Sequence, residues 1–271
     1  MKRLLFDTLL LLIVIPSIAF AEGDNGKRKP IVILMEGHPY LLEERRSDSP
    51  TFALYDDGLV IFMKVKKQRG EYFSAVLDPK TQKRFLESLP IGQPFSALQD
   101  HYQASDWSDQ PSNELYVWNG DKVKRVSVYG EIRELKEEVS AEHLRTNREA
   151  RLKTPPAFLQ IFDALVSYEN EKALPWFPKK VEVWLGPYED SPEEFLVWPE
   201  GWPDTKHPET RQVRIGDFKT YRLFLDSGYF EAFKKLVYRL DHEDRRALLV
   251  NGEKWYISSY RFPFPSEESW E

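Results

Sequence analysis

Three dipeptides, Asp57-Gly58, Asn119-Gly120 and Asn251-Gly252, each stand between two runs of strand-forming residues. Glycine accepts the positive φ that a tight reversal needs, so each dipeptide predicts a hairpin. The flanking runs are PTFALYDDGLVIFMKV, ELYVWNGDKVKRVSVYG and ALLVNGEKWYISSY. In the second of these, Val126 and Val128 alternate with Arg125 and Ser127, the pattern of a strand buried on one side. A chain with hairpins near both ends is committed to antiparallel sheet.

Between the hairpins lie helical and further strand signals. IVILME (31–36) and YFSAVL (72–77) read as strands, and the second ends at Asp78-Pro79. Pro79 suits the first turn of a helix and Asp78 suits its cap, so PKTQKRFLESL is expected to be helical. EIRELKEEVSAEHLRTNREARLK is expected to be a solvated helix or mobile connection, because Ile132, Leu135 and Val139 give it a thin apolar stripe. PPAFLQIFDALVSY carries Phe158, Leu159, Ile161, Phe162, Leu165 and Val166 behind two prolines, a wide-faced helix. KVEVWL (180–185) and TYRLFLD (220–226) read as strands, and GYFEAFKKLVYRL aligns Tyr229, Phe233, Leu236, Val237 and Leu240 on one helical face.

The predicted fold class is α+β, antiparallel sheets with a few covering helices. YFSAVLDPKTQKRFLESL and TYRLFLDSGYFEAFKKL each carry Leu-Asp and then Phe seven residues after the Asp, and each precedes an Asn-Gly hairpin. This echo leaves open whether two similar α+β halves arose by duplication. The boundaries read as 1–21 leader, 22–29 polar N-terminus, 30–130 first half, 131–178 helical connection, 179–265 second half and 266–271 tail.

The leader combines basic Lys2 and Arg3, an uncharged apolar run from Thr8 to Phe20, and small Ala19 and Ala21. That layout predicts a secretory signal peptide cut after Ala21. The run is shorter than the roughly 20 residues that span a bilayer, so no membrane span is expected after cleavage. The expected location is periplasmic or secreted. Cleavage removes two cations and one anion and takes the net charge from −6 to −7. Such acidity disfavours nucleic acid, which needs a basic face. The chain has no cysteine, so thiol catalysis, disulfides and a lipid-attachment thiol are excluded and the core must be hydrophobic.

PTFALYDDGLVIF, SDQPSNELYVWNGDKVKRVSVYG, WPEGWP and NGEKWYISSYRFPFP follow one another in an order that resembles a group of uncharacterised secreted bacterial proteins and lipoproteins. The resemblance runs from about Pro50 to Pro265. Asp56 departs from the glycine usual at that turn, and the lipid-attachment cysteine is missing. The resemblance implies fold and export, and no activity.

No nucleophile elbow, phosphate loop, dinucleotide fingerprint or zinc-binding His-Glu-x-x-His helix occurs, and no cofactor is implied. His38, His101, His143, His207 and His242 have no metal-ligand spacing. The acidic cluster Asp241-His242-Glu243-Asp244 lacks the glycine and spacing of a calcium loop and reads as a solvated turn. Glu193/Glu194 and Glu200/Asp204 are carboxylate pairs that a glycan hydrolase could use, at separations the sequence does not fix.

The most distinctive stretch is WPEGWPD (198–204). Trp198 and Trp202 are the candidate ligand-binding residues, as a platform for a sugar ring or a cation. The competing expectation is a plug, because proline stiffens the loop and indole gains most by burial. The leading functional expectation is an exported, non-catalytic binding or interaction module with a protein or glycan ligand. The alternative is a carboxylate-dependent hydrolase of envelope or extracellular glycans.

Overall fold

The computed structural model describes residues 28–37, 49–66, 69–135, 139–188, 194–242 and 247–270. The leader, most of the 22–29 stretch, His38, Glu193 and the side chains of the Asp-His-Glu-Asp cluster lie outside the described residues. The chain is α+β and built on two sheets. The first contains β1 (Pro30–Gly37), β2 (Phe52–Tyr55), β3 (Leu59–Lys66), β4 (Arg69–Val76), β5 (His101–Gln103), β6 (Ser112–Asn119), β7 (Lys122–Tyr129) and β8 (Leu174–Pro175), in the order β5-β7-β6-β1-β2-β3-β4-β8. The second contains β9 (Lys180–Pro187), β10 (Phe195–Val197), β11 (Arg211–Ile215), β12 (Phe218–Asp226), β13 (Ala247–Val250) and β14 (Glu253–Arg261), in the order β10-β13-β14-β9-β12-β11. Pairing is antiparallel apart from β5 with β7 and β10 with β13, two short edge strands in matching positions.

All three expected hairpins form, with three different turns. Asn251 (φ 52°) and Gly252 (φ 83°) are both left-handed, the type I′ arrangement. At the second hairpin Asn119 pairs with Lys122, so the loop is Gly120-Asp121 with glycine in its first position. Asp56 to Gly58 make a three-residue loop closed by Gly58 at φ 85°. A Cβ on Gly58 would lie 2.3 Å from the Leu77 carbonyl oxygen, so this position excludes every side chain. A fourth hairpin joins β11 to β12 through Gly216-Asp217, with Gly216 at φ 59°. No strand was expected at 211–215, where arginine obscures the alternation.

The helices are α1 (Pro79–Glu87), α2 (Gln93–Ser96), α3 (Ala141–Lys153), α4 (Pro156–Val166) and α5 (Phe230–His242). Asp78 caps α1 by accepting from the backbone N–H groups of Lys80 and Thr81, with Pro79 in the first turn. Of the stretch expected to be a solvated helix or a mobile connection, 141–153 is the helix α3, while residues 131–135 are not helical. Ile132 is fully buried there, and α3 holds the backbone in place. Asn147 donates to the carbonyls of Glu131 and Arg133, and Arg151 donates to that of Ile132 while forking onto Asp163. Side-chain donors supply what the thin apolar stripe could not.

Period-2 alternation gives each sheet two faces. In the first sheet Val32, Leu34, Phe52, Leu54, Val60 and Phe62 pack beneath α4, whose Phe158, Ile161, Phe162 and Leu165 are buried. In the second, Val181, Val183, Leu185, Leu223 and Leu225 pack against Phe233, Leu236 and Leu240 of α5. The halves are similar as sheet-and-helix units, while their strand orders differ. The last hairpin of the first half docks by its first strand, β6 on β1, and that of the second half by its second strand, β14 on β9.

The far face of the first sheet is not left to solvent. Ile33, Ala53, Tyr55, Ile61 and Tyr72 form a third cluster with Phe264, against which Trp176, Phe262 and Trp270 pack. β14 thus leaves the second sheet at Arg261, and the following residues fill the back of the first. The segment after Arg261 is a strap joining the two halves.

Candidate functional site

β9 sets the site by alternation. Val181, Val183 and Leu185 face α5, so Glu182, Trp184 and Gly186 emerge on the opposite, outer face. β12 brings Arg222 opposite Trp184 and Phe224 opposite Glu182, and β14 brings Arg261 opposite Glu182. The Arg222 guanidinium forks onto Glu182, Nε to Oε1 at 2.6 Å and Nη2 to Oε2 at 2.9 Å. Trp184 Nε1 donates to the same Oε1 at 2.6 Å, and Arg222 lies 5.1 Å from the Trp184 ring centroid. The Glu182 side chain is only 1% exposed, so both of its oxygens are committed inside the fold. The hydrogen bond from Arg222 to Glu182 leads the factors that hold its guanidinium above the ordinary arginine range.

Beside this pair the strap adds Glu267, ion-paired with Arg261. Burial, reinforced by the Glu182 charge, pushes the Glu267 carboxyl above the usual glutamate value, against the pull of Arg261 and the Phe264 N–H. Glu268 lies 3.9 Å from Arg211, which in turn sits over Phe224. The charges at this edge of the sheet therefore answer one another.

Toward the other edge the face is aromatic. Tyr256 lies on Gly186, where a Cβ would come within 2.6 Å of its ring, so glycine is what lets the ring lie flat on the sheet. Tyr188 follows at 5.8 Å between centroids. Lys254 stands 5.7 Å from the Phe195 ring, and Val197 is on the same side of β10. Tyr256, Phe195 and Val197 are 38, 36 and 65% exposed. A one-sided antiparallel sheet ordinarily turns polar residues outward. Here rings and aliphatic groups meet solvent beside a fully committed ion pair, an arrangement suited to stacking and contact.

Trp198 and Trp202 lie elsewhere. Trp198 follows inward-facing Leu196, is 6% exposed within the core of the second half, and donates its indole N–H to the Pro203 carbonyl at 3.1 Å. Trp202 is half-buried, edge-on to Trp198 at 5.4 Å and 5.4 Å from Tyr229. The loop thus closes the end of the core on the α5 side. Glu200 is exposed, while Asp204 is a turn residue accepting from the Lys206 N–H. Glu194 borders residues outside the described set. His143 is an exposed residue in the first turn of α3, and His207 accepts from the Glu209 N–H in a surface turn.

Tyr188, Arg222 and Tyr256 were not singled out from sequence. The available signal was in KVEVWLG, where Glu182, Trp184 and Gly186 alternate with three aliphatic residues and so must share one face. Among the described residues no group of three or more His, Asp or Glu is placed to hold a metal ion, and no helix is long and apolar enough to cross a membrane.

Comparisons with protein-family models, curated proteins and solved structures found no match.

Proposed function

We propose that the chain is an exported, non-catalytic binding module of the bacterial envelope whose contact surface is the outer face of the second sheet. The observation that carries this reading is the run of solvent-facing Phe195, Val197 and Tyr256 on a face where antiparallel sheets are normally polar. The proposed ligand is a glycan, because flat tyrosine rings stack on the apolar faces of sugars. Export rests on the basic, apolar and small-residue layout of the leader. The hydrolase alternative finds no support at this face, because Arg222 and Trp184 occupy both oxygens of Glu182.

A glycan-array screen of the chain beginning at Glu22 tests the proposal. It predicts a defined set of bound glycans, lost in Tyr256→Ala with the protein still folded and its melting temperature only slightly lowered. Absence of bound glycans, or binding indifferent to Tyr256→Ala, overturns it.

A further inference from the structure

We infer that Asn119 is a site of spontaneous covalent modification, where the fold leaves a side-chain amide open to deamidation while closing the turn dipeptides Asp57-Gly58 and Asn251-Gly252 to the same chemistry. This is independent of the glycan reading.

In an Asn-Gly pair the glycine nitrogen attacks the asparagine Cγ, and the missing side chain leaves that approach unobstructed. A C–N bond forms, the Cγ–Nδ2 bond breaks, and the side-chain nitrogen leaves as ammonia with the proton of the glycine N–H. Water then opens the five-membered imide at either carbonyl, which gives aspartate or its β-linked isomer. The step needs a free glycine N–H, a free side-chain amide and a backbone that lets the two approach. A left-handed residue, with ψ ~ +47°, holds the next nitrogen almost opposite its own Cβ, whereas an extended residue, with ψ ~ +135°, swings it to the flank.

Asp57-Gly58 is closed at both groups. The Gly58 N–H donates to the Tyr55 carbonyl at 3.1 Å, and the Asp57 carboxylate accepts from the Leu59 N–H at 3.1 Å and from Arg28 Nε at 2.6 Å. Asn251-Gly252 is closed at the side chain and the backbone. Asn251 Nδ2 donates to Thr205 Oγ1 at 2.9 Å, and its φ of 52° places it in the left-handed region. Asn119 meets all three conditions. It is the exposed last residue of extended β6, and its side chain makes no hydrogen bond among the described residues. The Gly120 N–H donates to no carbonyl there, and a Cβ on Gly120 would meet nothing within 4 Å, so water reaches the imide. The β-linked product inserts a methylene group into the main chain beside the Asn119–Lys122 pair. Either product adds a negative charge close to Asp121, which Lys29 faces at 3.2 Å.

The test incubates the chain beginning at Glu22 in mildly alkaline buffer, folded or in guanidinium chloride, and reads each asparagine by peptide mass and fragmentation. Asn25-Gly26, which lies outside the described residues, falls on a separate peptide. In the folded protein Asn119 is expected to gain the mass of an Asn-to-Asp change about tenfold faster than Asn251, the factor set by one hydrogen bond that must first break. In denaturant the two rates are expected to converge, because each dipeptide is followed by an acidic residue and a lysine. Asn251 keeping pace with Asn119 in the folded protein, no conversion at Asn119, or an unchanged lead of Asn119 in denaturant overturns the inference.

Discussion

The hydroxyl of Tyr55 donates to the carbonyl of Pro265 at 3.0 Å, across 210 residues of sequence. Tyr55 belongs to the first sheet, and Pro265 to the strap that leaves the second. The Phe262 N–H makes a parallel tie to Ser49 Oγ at 2.7 Å. Burial holds the Tyr55 phenol well above the usual tyrosine range, so it remains a donor at every physiological pH. Tyr55→Phe keeps the ring and removes the bond, at an expected cost of about 1 kcal/mol in urea unfolding. Phe264→Ala opens a cavity in the same cluster and is expected to cost about 3–5 kcal/mol. A smaller effect for Phe264→Ala than for Tyr55→Phe would contradict the strap's apolar role.

Arg222 and Glu182 form a buried pair, and such pairs respond asymmetrically to mutation. Arg222→Met leaves Glu182 without its main partner in a dry site, at an expected loss of about 3–5 kcal/mol. Replacing both residues by methionine is expected to recover most of that loss, because an apolar pair of similar volume avoids the desolvation cost. A double-mutant cycle followed by chemical denaturation checks the prediction, and additive losses would contradict it.

Glu267 and Asp78 give opposite pH responses. Burial raises the folded Glu267 carboxyl above its unfolded value of 4.5. Its stabilising contribution is therefore complete below that value and lost as pH climbs through the folded one. Thr81 lowers the folded Asp78 carboxyl, through its side chain and its backbone N–H, so this contribution is present above 3.8 and lost as pH falls through the folded value. Unfolding free energies measured across this range should lose their upper-side decline in Glu267→Gln and their lower-side decline in Asp78→Asn. Unchanged profiles would contradict the assignments.

Trp198 and Trp202 separate by burial. Trp198→Ala empties a core site and is expected to cost about 3–5 kcal/mol. Trp202→Ala, at a half-buried ring, is expected to cost less. Equal losses in thermal unfolding would place both rings in the core.

The parts of this fold that were legible in the sequence are those governed locally. Asp78-Pro79 names its own helix start, and Asn251-Gly252 its own turn. Val126 and Val128 show their burial by alternation. At residues 131–135 the choice between helix and connection was not legible, because their carbonyls are held by Asn147 and Arg151 of α3, about fifteen to twenty residues further on, and no local period records that. β11 was missed because its Arg211 answers Glu268 and the Phe224 ring on a neighbouring strand, partners no local pattern records. The outer face was half legible. Alternation in β9 fixes Trp184 and Gly186 to one side, but only the register of β14 brings Tyr256 onto that glycine.

Calorimetric titration of the tightest array ligand into wild type, Tyr256→Ala and Trp202→Ala locates the contact surface. Tyr256→Ala is expected to abolish binding while the protein stays folded, and Trp202→Ala to bind still. Full affinity in Tyr256→Ala, with binding lost in Trp202→Ala, would contradict this and move the ligand to the tryptophan-proline loop.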